Sequence, residues 1–102
     1  MRLLTKEITN KFQRTGSQEG KGNEAVVIAK FFDPCGSWTW YATEYDGDDT
    51  FFGLVDGFEL EWGYFSLHEL ATVRGRLGLC MERDMHFGHP MIKDVRGLKG
   101  RV

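Results

Sequence analysis

The sequence predicts an α+β fold: a four- or five-stranded, mostly antiparallel meander sheet packed with one or two short helices. Two observations predict this class. The middle of the chain is a series of segments rich in β-branched and aromatic residues, separated by short turns rich in Asp and Gly. A helical pattern lies on each side of that series. With 102 residues, the chain is expected to form a single domain, 1–102, around one core.

The first predicted element is a helix from Thr5 to Phe12. Thr5 can cap its start, and Leu4, Ile8 and Phe12 recur at the four-residue spacing of one helix face. The segment 15–23 that follows is polar and rich in glycine, so we expect a mobile loop.

Four strands are predicted after this loop, and turn residues set their limits. They cover residues 25–32, 37–45, 50–55 and 58–65. The turn at 33–36 has its proline and glycine at the positions that a type I turn favours. The turn at 46–49 and the Asp-Gly pair at 56–57 follow. Because all three turns are short, successive strands should pair antiparallel.

The pleat of a strand alternates side chains between the two faces of a sheet. In the second strand this alternation predicts Trp40 and Glu44 on one face, with Tyr41 and Tyr45 on the other.

The fourth strand alternates more regularly than the second. Its pattern predicts Trp62 on one face of the sheet, with Glu59 and Glu61 on the opposite face.

The last third of the chain carries one strong local signal. The segment 66–69, Ser-Leu-His-Glu, is a capping box, and it predicts a helix from Leu67 to Arg74 that ends at Gly75. Residues 77–84 are predicted as an edge strand. Residues 88–102 are predicted as a mobile basic tail on a core of residues 1–87.

Charge is segregated along the chain, although the formal net charge is only −2. No Lys or Arg lies between Asp33 and Val73, whereas nine acidic residues do. Extended to Phe31, the same segment holds twelve of the fourteen aromatic residues. Nucleic-acid binders usually carry basic residues among their aromatic ones. Direct nucleic-acid binding by the sheet is therefore disfavoured.

Several other classes of function lack their signature. No apolar run approaches the roughly 20 residues of a membrane span, so we expect no membrane association and a cytoplasmic location. The acidic turn 46–49 lacks the twelve-residue ligand pattern of a calcium loop. No nucleophile elbow and no phosphate loop is present. We expect no metal, no cofactor and no catalytic residue.

The leading functional hypothesis is a protein-binding surface. Twelve aromatic residues exceed what one face of a small sheet can bury, and exposed rings are typical of interface cores. Carboxylates beside those rings suit a partner with a basic groove. The candidate residues are Glu44, Asp46, Glu59, Glu61, Trp40, Tyr41, Tyr45 and Trp62.

Two alternatives stay open at this point. A small enzyme or ligand-binding domain could use Arg83, Asp84 and His86 for acid–base chemistry, together with Glu44 and Glu61. That hypothesis requires the five side chains to converge in one pocket; otherwise the Arg83 segment is a local ion pair. A weaker alternative is accessory nucleic-acid binding through the basic flanks of the chain. A homodimer is a further option for exposed aromatic surface.

The chain also resembles a known family. The pattern K-F-F-x-P-x-G-x-W-T-W-Y-x-T-E occupies residues 30–44, G-Y-F-S-L-x-E-L occupies 63–70, and E-R-D-x-H-F occupies 82–87. Together they resemble the domain-of-unknown-function family DUF2958, from about Leu3 to Phe87. That family has no established enzymatic activity, and its members tend to occur on plasmids, phages and conjugative elements. The resemblance implies a small protein of a mobile genetic element and transfers no catalytic residue. The leading hypothesis is then that the module inhibits a host defence or nucleic-acid-handling complex.

Overall fold

The fold, seen in a computed structural model that describes residues 2–102, is one antiparallel sheet with short helices. Its strands, in chain order, are β1 (Ala29–Phe32), β2 (Thr39–Tyr45), β3 (Thr50–Asp56), β4 (Leu60–Ser66) and β5 (Glu82–Arg83). Their order across the sheet is β4-β3-β2-β1-β5, so the first four strands form a meander and β5 pairs with the free edge of β1. The predicted α+β meander is confirmed.

Two α-helices flank the meander, and each begins at the predicted cap. Helix α1 (Lys6–Thr15) starts where the Thr5 hydroxyl accepts the amide of Ile8 at 3.2 Å. It continues past Phe12 and ends at Gly16, whose φ of 67° favours glycine. Helix α2 (Leu67–Thr72) starts at Ser66 but is shorter than predicted.

The predicted strand 77–84 is reduced to the two residues of β5. Residues 76–78 form a short 3₁₀ turn in which Leu77 has a φ of 68°, a left-handed conformation outside the extended range. Pairing with β1 therefore begins only at Glu82, which lies opposite Phe32.

Each face of the sheet is covered by a different part of the chain. On one face, called here the helical face, Phe12 of α1 and Leu70 of α2 pack with Phe31 and Phe51 of the sheet. The opposite face, called here the tail face, is covered by the C-terminal segment. There Tyr41 and Leu54 of the sheet form a core cluster with buried side chains of that segment, Ile92, Val95 and Leu98.

The C-terminal segment was predicted to be a mobile tail, but it forms a layer of the fold. The amide of Val27 donates to the carbonyl of Pro90 at 2.8 Å, and the amide of Ile92 donates to the carbonyl of Ala25 at 2.9 Å. Near the end, the guanidinium of Arg101 makes two 2.9 Å bonds to the carboxylate of Asp56. This layer covers part of the tail face. The part of that face that the layer does not reach remains open.

A β-bulge in β2 changes which residues lie on each face of the sheet, so the predicted alternation is wrong for the end of that strand. Ala42 pairs with Gly53 and Glu44 pairs with Phe52, so Thr43 is an extra residue between them. Thr43 is buried, and its hydroxyl donates to the carbonyl of Phe52 at 3.2 Å. Gly53 is required opposite the bulge because an added Cβ would overlap the carbonyl oxygen of Tyr41.

The bulge reverses the alternation of the strand's last two residues. Glu44 lies on the tail face with Tyr41, and Tyr45 lies on the helical face with Trp40. The sequence had predicted the reverse, with Glu44 beside Trp40.

The β2–β3 turn is joined to the start of α2 through one carboxylate. Asp49 Oδ2 accepts the hydroxyl of Ser66 at 2.6 Å, and Asp49 Oδ1 accepts the amide of His68 at 2.7 Å. A carboxylate at this position also interacts favourably with the helix dipole. Asp49 thus complements Ser66 at the N-terminus of α2.

This arrangement predicts a defined pH dependence of stability. The hydroxyl of Ser66 and then the amide of His68 lower the pKa of Asp49 below its ordinary value of 3.8. Such a carboxyl stabilises the fold fully above its ordinary pKa, and this contribution is lost as the pH falls through the lowered one. Between about pH 5 and about pH 2, the urea midpoint of Asp49→Asn should therefore fall less than that of the unchanged chain.

Glu59→Gln is the matched control for this titration, because it removes an exposed carboxyl in the β3–β4 turn. It should show the same acid sensitivity as the unchanged chain. If Asp49→Asn also follows the unchanged chain, Asp49 does not contribute to α2 in the way described.

Candidate functional site

An open hollow of about 500 Å³ lies on the tail face, beside the C-terminal layer. Its floor is formed by side chains of three adjacent strands: Glu44 of β2, Phe52 of β3, and Trp62 and Tyr64 of β4. One wall is formed by four residues of the glycine-rich loop: Gln18, Glu19, Gly20 and Gly22. The hollow therefore joins the acidic, aromatic middle of the chain to the glycine-rich loop near its N-terminus.

Three aromatic rings make up most of the floor, called here the aromatic floor (Phe52, Trp62 and Tyr64). Phe52 and Tyr64 are direct cross-strand partners with ring centroids 5.0 Å apart. Phe52 and Trp62 stack at 5.8 Å with an interplanar angle of 14°. Trp62 is 37% exposed and Tyr64 is 77% exposed. Large exposed rings packed side by side are typical of a binding surface.

The wall of the hollow is fixed by one buried side chain. Gln18 is only 3% exposed, although it lies in the segment predicted to be a mobile loop. Its amide nitrogen donates to the carbonyls of Val26 and Thr43, both at 2.8 Å, and its Oε1 accepts the amide of Val26 at 2.7 Å. These bonds join the loop to β2 at the bulge.

Gln18 also positions the carboxylate at the edge of the floor. Its backbone amide donates to Glu44 Oε2 at 2.9 Å. The bulge at Thr43 directs Glu44 onto the tail face, and this bond fixes its position beside Phe52. The geometry of the carboxylate is therefore set by two features far apart in the sequence.

The electrostatic character of the hollow is uniform. Two of the described residues that line it, Glu19 and Glu44, are acidic, and none of the described lining residues is Lys, Arg or His. The faces of the aromatic rings add a negative electrostatic potential of their own. The hollow therefore attracts cationic groups and repels phosphates.

Two of the eight predicted surface residues, Glu44 and Trp62, line this hollow. Three others have a packing role. Trp40 and Tyr45 pack against the core of the helical face, and Tyr41 is buried under the C-terminal layer, where its ring contacts Phe87.

The remaining three predicted carboxylates are elsewhere. Asp46 Oδ1 accepts the amides of Asp48, Asp49 and Thr50, so this carboxylate stabilises the β2–β3 turn. Glu61 is exposed at the opposite face of the sheet, since it pairs with Val55, and Glu59 is exposed in the β3–β4 turn.

The alternative acid–base residues line a second, shallower hollow of about 390 Å³ next to Lys30. Asp84 Oδ2 lies 3.6 Å from Lys30 Nζ, and Asp84 Oδ1 accepts the backbone amide of His86 at 3.0 Å. The guanidinium of Arg83 donates to the carbonyl of Arg2 at 2.7 Å. Neither Glu44 nor Glu61 is among the described lining residues, so the convergence that an acid–base site requires does not occur.

Gln18, Phe52 and Tyr64 are among the lining residues of the hollow that sequence reasoning missed. Tyr64 had a signal, because the alternation of β4 places it on the same face as Trp62. Gln18 had none, since its partners are the backbone of Val26 and Thr43.

Two further properties hold for residues 2–102. No group of three or more His, Cys, Asp or Glu side chains in this range is arranged to hold a metal ion. No helix in this range combines the length and the apolar character that crossing a membrane requires.

Comparison with protein families gives a match over residues 3–92 to the family described as a protein of unknown function, DUF2958. The match extends beyond Phe87 and includes Ile92, the first buried residue of the C-terminal layer. No curated protein and no solved structure matches the chain.

Proposed function

The chain belongs to the DUF2958 family, and we propose that it is a non-enzymatic, cytoplasmic protein-binding module that docks through the hollow on the tail face. The observation that carries this proposal is the exposed aromatic floor beside Glu44. A sheet of this size can bury its rings, as it does with Phe31 and Phe51 on the helical face. Exposed rings that pack side by side, as Trp62 and Tyr64 do with Phe52, are typical of interaction surfaces, and this favours a partner that covers them.

The proposed partner presents a basic groove. Glu19 and Glu44 are the charges that line the hollow, so a positively charged surface is complementary to it. Complementary charge speeds association, and burial of Trp62 and Tyr64 supplies the affinity.

Such a surface suits an inhibitor of a protein that handles nucleic acid. Grooves that bind nucleic acid recognise phosphate charge and stack bases on aromatic or guanidinium groups. Carboxylates next to exposed rings present both chemistries, so the module would occupy such a groove in place of nucleic acid. We place this role in a mobile genetic element, where the inhibited complex would belong to host defence.

Binding of nucleic acid by the basic flanks is less well supported. Several of those bases are neutralised within the chain. Lys93 lies 3.4 Å from Glu24, Lys30 lies 3.6 Å from Asp84, and Arg101 is bonded to Asp56.

Capture of partners from the cells that express the chain tests the proposal. The double variant Glu44→Gln/Tyr64→Ala should lose at least about tenfold of the captured partner, because truncating an aromatic hot spot at the centre of an interface costs about 2 kcal/mol or more. Tyr64 is 77% exposed, so its loss leaves the core intact.

Phe58→Ala/Glu61→Gln is the matched control for this experiment. It also removes one exposed ring and one strand carboxylate, but neither residue is among those that line the hollow. Capture by the control should equal that of the unchanged chain. A partner that is lost with the control pair and retained with Glu44→Gln/Tyr64→Ala would refute docking through the hollow.

A further inference from the structure

We propose that the hollow binds an arginine side chain of the partner, with the guanidinium stacked on the exposed face of Trp62 or Tyr64 and bonded to Glu44. This inference rests on the proposed function and deepens it, because it names the group that the hollow recognises. Three properties of the hollow lead to it: its charge, the arrangement of its rings, and the fixed position of its carboxylate.

The charge of the hollow selects a cation. Glu19 and Glu44 lie at its edge, and no described lining residue is Lys, Arg or His. A phosphate placed here would meet two carboxylates and the negative faces of the rings. A cation would be attracted by all of them.

The ring geometry selects a flat cation that stacks on one exposed ring, because Tyr64 is inclined at 61° to Phe52 and the three rings share no common plane. Phe52 and Trp62 are nearly parallel, with centroids 5.8 Å apart. Intercalation of a planar group would need about 7 Å, two van der Waals contacts of roughly 3.5 Å each. The exposed surfaces of Trp62 and Tyr64 are therefore the ones that a ligand can cover.

The carboxylate of Glu44 favours arginine over lysine as the bound cation. Glu44 is held at the edge of the floor by the amide of Gln18, 2.9 Å from Oε2. A guanidinium can stack on a ring with its plane while its edge donates hydrogen bonds to a carboxylate. A lysine ammonium is a compact, strongly hydrated charge that offers no plane to stack. The volume of about 500 Å³ accommodates a guanidinium and its aliphatic stem.

A titration followed by proton–nitrogen NMR tests this inference, with N-acetyl-arginine methylamide as the probe. We expect shifts at the indole N–H of Trp62 and at the amide of Gln18, which is bonded to Glu44. N-acetyl-citrulline methylamide has nearly the same shape without the charge, and it should bind at least about threefold more weakly. The lysine analogue should also bind more weakly than the arginine probe.

Single substitutions that keep the fold show which residues bind the arginine probe. Glu44→Gln and Tyr64→Ala should each weaken binding of the arginine probe at least about threefold, whereas Glu61→Gln should not. Tyr64→Ala keeps the test valid if Glu44→Gln disturbs the loop, because Tyr64 is largely exposed.

Three results would overturn the inference: equal binding of the citrulline probe, shifts confined to residues outside the hollow, or tighter binding of a thymidine hexanucleotide that depends on Tyr64. The last result would assign the hollow to single-stranded nucleic acid. The two proposals fail separately. If the arginine probe leaves the hollow unshifted while partner capture still depends on Glu44 and Tyr64, only the arginine inference fails. If the probe binds but partner capture is unchanged when Glu44 and Tyr64 are substituted, the proposed function fails.

Discussion

Phe51→Ala is expected to lower the free energy of unfolding by about 3–5 kcal/mol, the range for removing a fully buried phenylalanine side chain. Phe51 has no solvent exposure. Its ring is the centre of the helical face, with centroids at 4.7 Å from Tyr45, 5.2 Å from Phe31, 5.4 Å from Phe65 and 5.8 Å from Phe12. The substitution leaves a cavity that joins α1 and three strands, so urea unfolding followed by circular dichroism should show the loss directly.

Phe58→Ala is the matched control, because Phe58 is 95% exposed and its one ring contact is with Trp38 at 5.2 Å among the described residues. Its cost should stay below about 1 kcal/mol. A loss of similar size for the two variants would contradict the assignment of Phe51 to the core.

Deleting residues 90–102 is expected to prevent stable folding. Ile92, Val95 and Leu98 are buried, and each buried side chain of this kind contributes about 1.5–3 kcal/mol. Together they account for roughly 5–9 kcal/mol, which is comparable with the whole stability of a typical domain. The deletion would also expose Tyr41 and Leu54 on the tail face. The measurement is amide-proton dispersion in NMR, which should collapse to that of an unfolded chain.

A variant with a charge-neutralised C-terminal layer distinguishes the contribution of packing from that of charge. The triple variant Lys93→Gln, Arg96→Gln and Lys99→Gln keeps the apolar residues of the C-terminal layer. The exposed pair between Lys93 and Glu24 contributes about 0–1 kcal/mol, so this variant should stay folded. A folded deletion mutant would show that residues 90–102 are a tail rather than a layer.

The sequence was sufficient to predict the meander because its signals are local. The connections at 33–38, 46–49 and 57–59 are short, so neighbouring strands can only pair antiparallel. The caps at Thr5 and Ser66 likewise depend on residues three positions away.

The structural features that were missed depend on distant partners. The bulge at Thr43 is accommodated by Gly53 in the next strand and bonded by Gln18 in the loop, and no local pattern in β2 indicates it. Without the bulge, Glu44 would lie under α1 and the hollow would have no strand carboxylate.

The C-terminal layer had a usable signal, since Ile92, Val95 and Leu98 recur every third residue, the period of a 3₁₀ helix.

The sequence predicted the acidic, aromatic character of the candidate site but only some of its residues. The base-free, aromatic middle of the chain does supply the floor of the hollow, including Glu44 and Trp62. The rest of that middle is divided by the fold into core rings such as Phe51 and turn-forming acids such as Asp46. Composition cannot separate these roles, because the same residue types serve all of them.

Site-specific photo-cross-linking in cells that express the chain tests docking through the hollow most directly. A benzophenone analogue of phenylalanine would replace either Tyr64, on the aromatic floor, or Phe58, in the β3–β4 turn before the start of β4 at Leu60. The account predicts a covalent protein adduct from position 64, joined to a peptide of the partner that contains an arginine, and none from position 58. An adduct from position 58 alone, or none from position 64, would contradict it.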